Sequence, residues 1–100
     1  FLLCADLVPA PRAHDMGLLN AIVPRDELLA KAYEYAHRIT ANAPLAVQAT
    51  KRSVWEGLGM SLKEAYRNEA ALSSMIFQTE DAKEGPLAFA EKRKPRWLAR

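Results

Sequence analysis

No apolar run in this chain approaches the roughly 18 residues that a membrane-spanning helix requires. The longest uncharged segment, Ile39 to Thr50, is interrupted by Asn42, Pro44 and Gln48. Four glycines and six prolines in 100 residues are too few for a collagenous or low-complexity chain, and the single cysteine, Cys4, rules out an internal disulfide and a multi-cysteine zinc site. A buried apolar thiol is expected at Cys4, since no base stands near it in sequence to make it a nucleophile. His14 and His37 are the only histidines, and neither has a carboxylate or cysteine four residues away to share a helical face as a ligand pair, so surface or structural roles are expected and a metal site is not. The opening FLLCADLV has no basic residue ahead of it and meets Asp6, unlike a secretory signal. A reducing, cytoplasmic setting is the default that these absences leave. The apolar start at Phe1, without a methionine, reads as the interior of an element, and a piece of a longer protein is expected.

What is present is an ordinary globular composition: 50% hydrophobic residues, 26% charged, and a net charge of +2. Helical spacing dominates from Arg25 onward, so the fold is expected to be mostly α with at most one short strand, Leu18 to Val23. Residues 1–24 read as a connecting segment and 25–100 as a helical domain. Pro9 and Pro11 precede a brief helix through Arg12 to Met16 that stops at Gly17. A longer helix is predicted from about Asp26 to Ala41, burying Leu28, Ala32, Ala36 and Ile39 beside Leu29 and Tyr33. Asn42-Ala43-Pro44 stops it and starts the next, Pro44 to about Glu56, with Val47, Val54 and Leu58 lining one side and Gln48, Arg52 and Glu56 another.

Ser61 and Glu64 form an S-x-x-E capping box that opens a third helix, whose apolar stripe is Leu62, Ala65, Tyr66, Leu72 and Ile76. Thr79 caps a fourth, with Glu80 and Asp81 at its positive end and Lys92 to Lys94 at its negative end. Pro86 predicts a kink or break in that helix near Gly85.

Glu69 falls within the apolar stripe, where an unpaired charge is costly. A structural ion pair or a hydrogen bond to loop amides is the plainer expectation, and a tuned acid or base in a cleft the sharper one. Lys92, Arg93, Lys94, Arg96 and Arg100 make the densest basic run, suited to phosphate, yet confined to one terminus and therefore a poor nucleic-acid surface. Phe89 precedes Lys92 by three residues. If the helix continues there, an aromatic and a cation share a face suited to a nucleotide-containing ligand. On spacing alone, Phe89 in the core and Lys92 in solvent is the simpler reading. No Gly-rich phosphate loop, nucleophile elbow or Ser-His-Asp order is present.

Four blocks taken in order, Gly17-Leu18-Leu19-Asn20-Ala21-Ile22-Val23-Pro24, Ala43-Pro44-Leu45-Ala46-Val47-Gln48-Ala49-Thr50-Lys51, Thr79-Glu80-Asp81-Ala82-Lys83-Glu84-Gly85 and Ala88-Phe89-Ala90-Glu91-Lys92-Arg93-Lys94-Pro95, resemble the C-terminal part of the crotonase (enoyl-CoA hydratase/isomerase) superfamily. The first stretch departs from it, since members usually carry a Thr-Gly pair near Cys4-Ala5 and a polar cap near Pro9.

The resemblance implies a C-terminal helical domain that covers the active site of a spiral αβ domain, absent here, and helps build homo-trimers or hexamers. It implies an acyl-CoA thioester as substrate and no cofactor. Catalytic residues lie upstream in such proteins, so none is expected in this chain, and Glu69, although it matches a glutamate frequent in the family, is not expected to be catalytic. One pair carries over: Phe89 and Lys92 match an aromatic and a lysine that reach a neighbouring subunit's coenzyme A near its adenine and 3′-phosphate. The competing expectation is a free-standing helical interaction module.

Overall fold

A computed structural model describes residues 3–100. It contains α1 (Ala10–Asp15), a 3₁₀ turn (Arg25–Glu27), α2 (Leu28–Thr40), α3 (Pro44–Gly57), α4 (Leu62–Phe77) and α5 (Glu80–Ala90), with no strand among the described residues. The mostly α expectation therefore holds. Contacts divide the chain into two units, one ending at Tyr35 and the other spanning Ala36–Arg100. The apolar start at Phe1 and Leu2 lies outside the described residues.

In the first unit, α1 begins two residues earlier than its sequence pattern suggested, with Pro11 in its first turn, where the missing amide costs no helix bond. Its end is a Schellman motif: Gly17 N–H donates to His14 O and Leu18 N–H to Ala13 O, both at 2.9 Å, with Gly17 at φ 78°. The strand expected at Leu18 to Val23 does not form. A strand needs a neighbour to complete its ladder, and the segment runs irregularly, with the Tyr35 hydroxyl donating to Asn20 O at 3.4 Å. Cys4 lies in a turn and is exposed, not buried, because no element packs over it. Leu28, Leu29 and Tyr33, expected in a core, are exposed as well.

The second unit is built on α3, α4 and α5, with α3 packed on α4 and α4 touching α5. Asn42 ends α2 by donating its side-chain amide to Arg38 O at 2.8 Å and Ile39 O at 3.2 Å, and Pro44 opens α3. The face of α3 turned to α4 differs from the expected one. Val47 of that face is half-buried, but Val54 and Leu58 are exposed, whereas Ala49, Ser53 and Glu56 are half-buried, and Glu56 reaches α4 and accepts from Asn68 Nδ2 at 2.9 Å. The capping box is present as predicted: Ser61 N–H donates to Glu64 Oε2 at 2.9 Å, and Ser61 Oγ accepts from Glu64 N–H at 3.4 Å. Only Leu72 of the α4 stripe is buried, while Leu62 and Tyr66 face outward.

Thr79 caps α5 by accepting from Ala82 N–H at 3.2 Å. The helix runs through Pro86 without the expected break. Proline deprives the carbonyl four residues back of its donor, but the C-terminal tail fastens the part of α5 ahead of Pro86. Asp81, only 3% exposed, accepts from the consecutive amides of Leu98 at 2.6 Å and Ala99 at 3.0 Å. Glu80 N–H donates to Arg100 O at 2.7 Å, and the Trp97 ring stands over Gly85. Ala88 is buried on the same helix.

Candidate functional site

The residues singled out by sequence, Phe89 and Lys92, lie at the end of α5. The helix stops at Ala90, so they do not share a helical face. They meet in a second Schellman motif: Lys92 N–H donates to Phe89 O at 3.2 Å and Arg93 N–H to Ala88 O at 3.0 Å. The residue in the left-handed position is Lys92, at φ 52°, where the corresponding motif after α1 carries Gly17. A side chain there costs about 1–2 kcal/mol relative to right-handed backbone, and the motif holds because it satisfies two carbonyls at the end of the helix. Phe89 is 87% exposed, which removes the simpler reading of it as a core residue.

The basic run does not act as one patch. Arg93 donates Nη2 to Glu84 Oε2 at 2.9 Å and Nε to Glu91 Oε2 at 2.6 Å, and Nη1 also reaches Glu84. Glu84, with 18% of its side chain exposed, accepts in addition from Arg96 N–H at 2.7 Å. The Arg93 guanidinium and the Arg96 amide hold the Glu84 carboxyl down at about 2, and the two carboxylates push Arg93 further up. Lys92 and Lys94 flank this saturated arginine, are exposed, and form no ion pair among the described residues. The turn thus presents an exposed ring and two available ammonium groups, suited to stacking and to an anion. Sequence reasoning missed the role of Glu84, since a partner nine residues away across a helix end leaves no periodic signal.

Glu69 is exposed, not held in the core. It borders a cleft of about 350 Å³ between α3 and α4, with Ala46, Thr50, Ser53 and Ser73 among its neighbours. The structural ion pair expected of it is not formed among the described residues. His14 and His37 are exposed, and among the described residues no three His, Cys, Asp or Glu side chains gather as metal ligands.

Residues 1–100 match the family model described as enoyl-CoA hydratase/isomerase. An enoyl-CoA hydratase, EchA19, of Mycobacterium tuberculosis is 44% identical over 99% of this chain and 37% of its own length. A carnitinyl-CoA dehydratase of Salmonella arizonae is 42% identical over 88% of this chain and 35% of its own length. Among solved structures, the enoyl-CoA hydratase EchA1 of Mycobacterium marinum superposes with a TM-score of 0.91 at 44% identity, over 98% of this chain and 39% of that one. The chain therefore spans under two fifths of the length of these relatives. With the order of its helices, the sequence match and the superposition in agreement, the chain belongs to the enoyl-CoA hydratase/isomerase family.

Proposed function

We propose that this chain is the C-terminal helical part of an enoyl-CoA hydratase-like lyase. In that reading it supplies coenzyme A contacts and oligomerisation surfaces, and the catalytic groups lie in a spiral αβ domain outside these residues. The observation that carries the reading is the locked turn at the end of α5, which holds Phe89 and Lys92 exposed within a chain of this family. Phe89 lies against the adenine of an acyl-CoA bound mainly by a neighbouring subunit, and Lys92 meets its 3′-phosphate. The parent reaction, addition of water across the 2,3-double bond of the thioester, leaves the overall oxidation level unchanged and needs no redox cofactor. It draws on an oxyanion hole and on acid-base carboxylates supplied elsewhere.

The apolar side chains left outside, Val54, Trp55, Leu58, Leu62, Tyr66 and Phe77, support a surface made to be covered. Their occupants are the spiral domain and neighbouring subunits of a homo-trimer or hexamer. No helix among the described residues is long and apolar enough to cross a membrane, and an aqueous, cytoplasmic setting agrees with the lone exposed thiol of Cys4.

The test is a titration of the full-length parent protein, which carries the neighbouring subunit's site, with coenzyme A and with dephospho-coenzyme A, which lacks the 3′-phosphate, over a salt series. The wild type is expected to prefer coenzyme A by up to about fivefold at low salt, as for one exposed ion pair, and Lys92→Ala to lose that preference. Equal affinity of the wild type for both compounds removes Lys92 from the site. Sedimentation of the same sample separates the two classes of function: a defined dimer that ignores coenzyme A supports the free-standing interaction module instead.

A further inference from the structure

The Glu84 to Arg93 pair lies directly behind the turn that carries Lys92 and is more heavily bonded than an ordinary surface ion pair. Both guanidinium terminal nitrogens meet both carboxylate oxygens, the third nitrogen is held by Glu91, and the Arg96 amide completes Glu84. Arg93 is the residue that follows the left-handed position, and its own amide makes the longer-range bond of the Schellman motif to Ala88 O. Fixing the Arg93 side chain therefore fixes the backbone from which the Lys92 side chain departs. Ala88, on the far side of that bond, is 1% exposed and anchors the turn to the body of the unit.

We propose that Glu84 and Arg93 are positioning residues for anion binding by Lys92: they touch no ligand, but the affinity of the turn depends on their pairing. This rests on the assignment of Lys92 to the coenzyme A phosphate and deepens it. A flexible ammonium must lose its freedom when it binds, and a preset backbone reduces that loss. The same geometry explains why the middle cation of the basic run does not compete for the phosphate.

The experiment uses the full-length parent protein, in which the neighbouring subunit is present, with coenzyme A and dephospho-coenzyme A as probes and compares the wild type, Lys92→Ala, Glu84→Gln and Arg93→Lys. Simple electrostatics and positioning predict opposite signs. Glu84→Gln removes a negative charge from behind the turn and leaves Arg93 paired with Glu91 alone, so charge alone predicts tighter anion binding. Positioning predicts binding of coenzyme A weaker by roughly threefold or more, with affinity for dephospho-coenzyme A unchanged. Arg93→Lys keeps the net charge and removes the two-pronged pairing, so it is expected to weaken binding to a similar extent. It also provides the answer should Glu84→Gln fail to fold. Hydrogen exchange at the Lys92 and Arg93 amides is expected to quicken in both variants while the circular dichroism of the helices is retained. Unchanged or tighter binding in a folded Glu84→Gln or Arg93→Lys variant overturns the positioning role and leaves Lys92 in place. A wild type that does not distinguish the two probes, or a Lys92→Ala variant that still does, overturns the Lys92 assignment and the positioning role with it.

Discussion

The indole Nε1 of Trp97 donates to the carbonyl of Ala41 at 2.9 Å, joining residues 56 positions apart. Ala41 follows the last residue of α2, so a side chain from the tail satisfies one of the carbonyls that a helix end leaves without a partner. Trp97→Phe removes the donor and with it the far edge of the indole, Cη2 and Cζ3, that faces Gly85. It is expected to lower stability by about 1 kcal/mol, read as a fall in melting temperature.

Gly85 sits inside α5, where glycine costs roughly 0.5–1 kcal/mol relative to alanine. A Cβ placed there meets the Trp97 ring at 3.5 Å, an ordinary contact. Gly85→Ala is therefore expected to raise the melting temperature, and a loss of stability would show that Trp97 approaches more closely than this.

The two Schellman motifs make a matched pair with opposite predictions. Lys92→Gly relieves a left-handed side chain and is expected to stabilise the chain by about 1 kcal/mol, while removing the preference for coenzyme A over its dephospho form. Gly17→Ala, at φ 78° with open space around it, is expected to destabilise by a similar amount, about 1 kcal/mol. Thermal melts of the two variants check both signs.

The acid limb of stability is expected to follow Glu84. Its carboxyl is held at about 2 against an ordinary 4.5, so the pairing contributes fully above the unfolded value and is lost as pH falls through the folded one. Glu56 and Glu64 are lowered in the same direction, by Arg52 with Asn68 and by Ser61 respectively. Melting temperature is expected to fall between about pH 4.5 and pH 2, and Glu84→Gln to flatten that fall.

What was legible in the sequence was local. Ser61 with Glu64, Thr79 and Gly17 each mark an element end through bonds to near neighbours, Pro44 does so through its fixed backbone angle, and each is where the pattern put it. What was not legible needed a distant partner. Leu18 to Val23 alternates like a strand but has no neighbouring strand, and the continuation of α5 through Pro86 depends on tail residues 93–100. The packed face of α3 was misread because Glu56 turns inward to Asn68 while Val54 and Leu58 stay outside. For the candidate site, Phe89 and Lys92 were legible only as a spacing. The left-handed backbone that brings them together was not, because lysine gives no signal for it.

Among the described residues only Leu72, Ala88 and Asp81 are buried. Unfolding the chain therefore uncovers less apolar area than it would for a domain of this length with a closed core. Its heat-capacity increment should fall well below the roughly 1.2–1.5 kcal/mol/K usual for a domain of this length, and its urea dependence should be correspondingly shallow. A calorimetric trace that sharpens when the helices are covered would report, from the gain in that increment, how much hydrocarbon surface the covering partner removes from solvent.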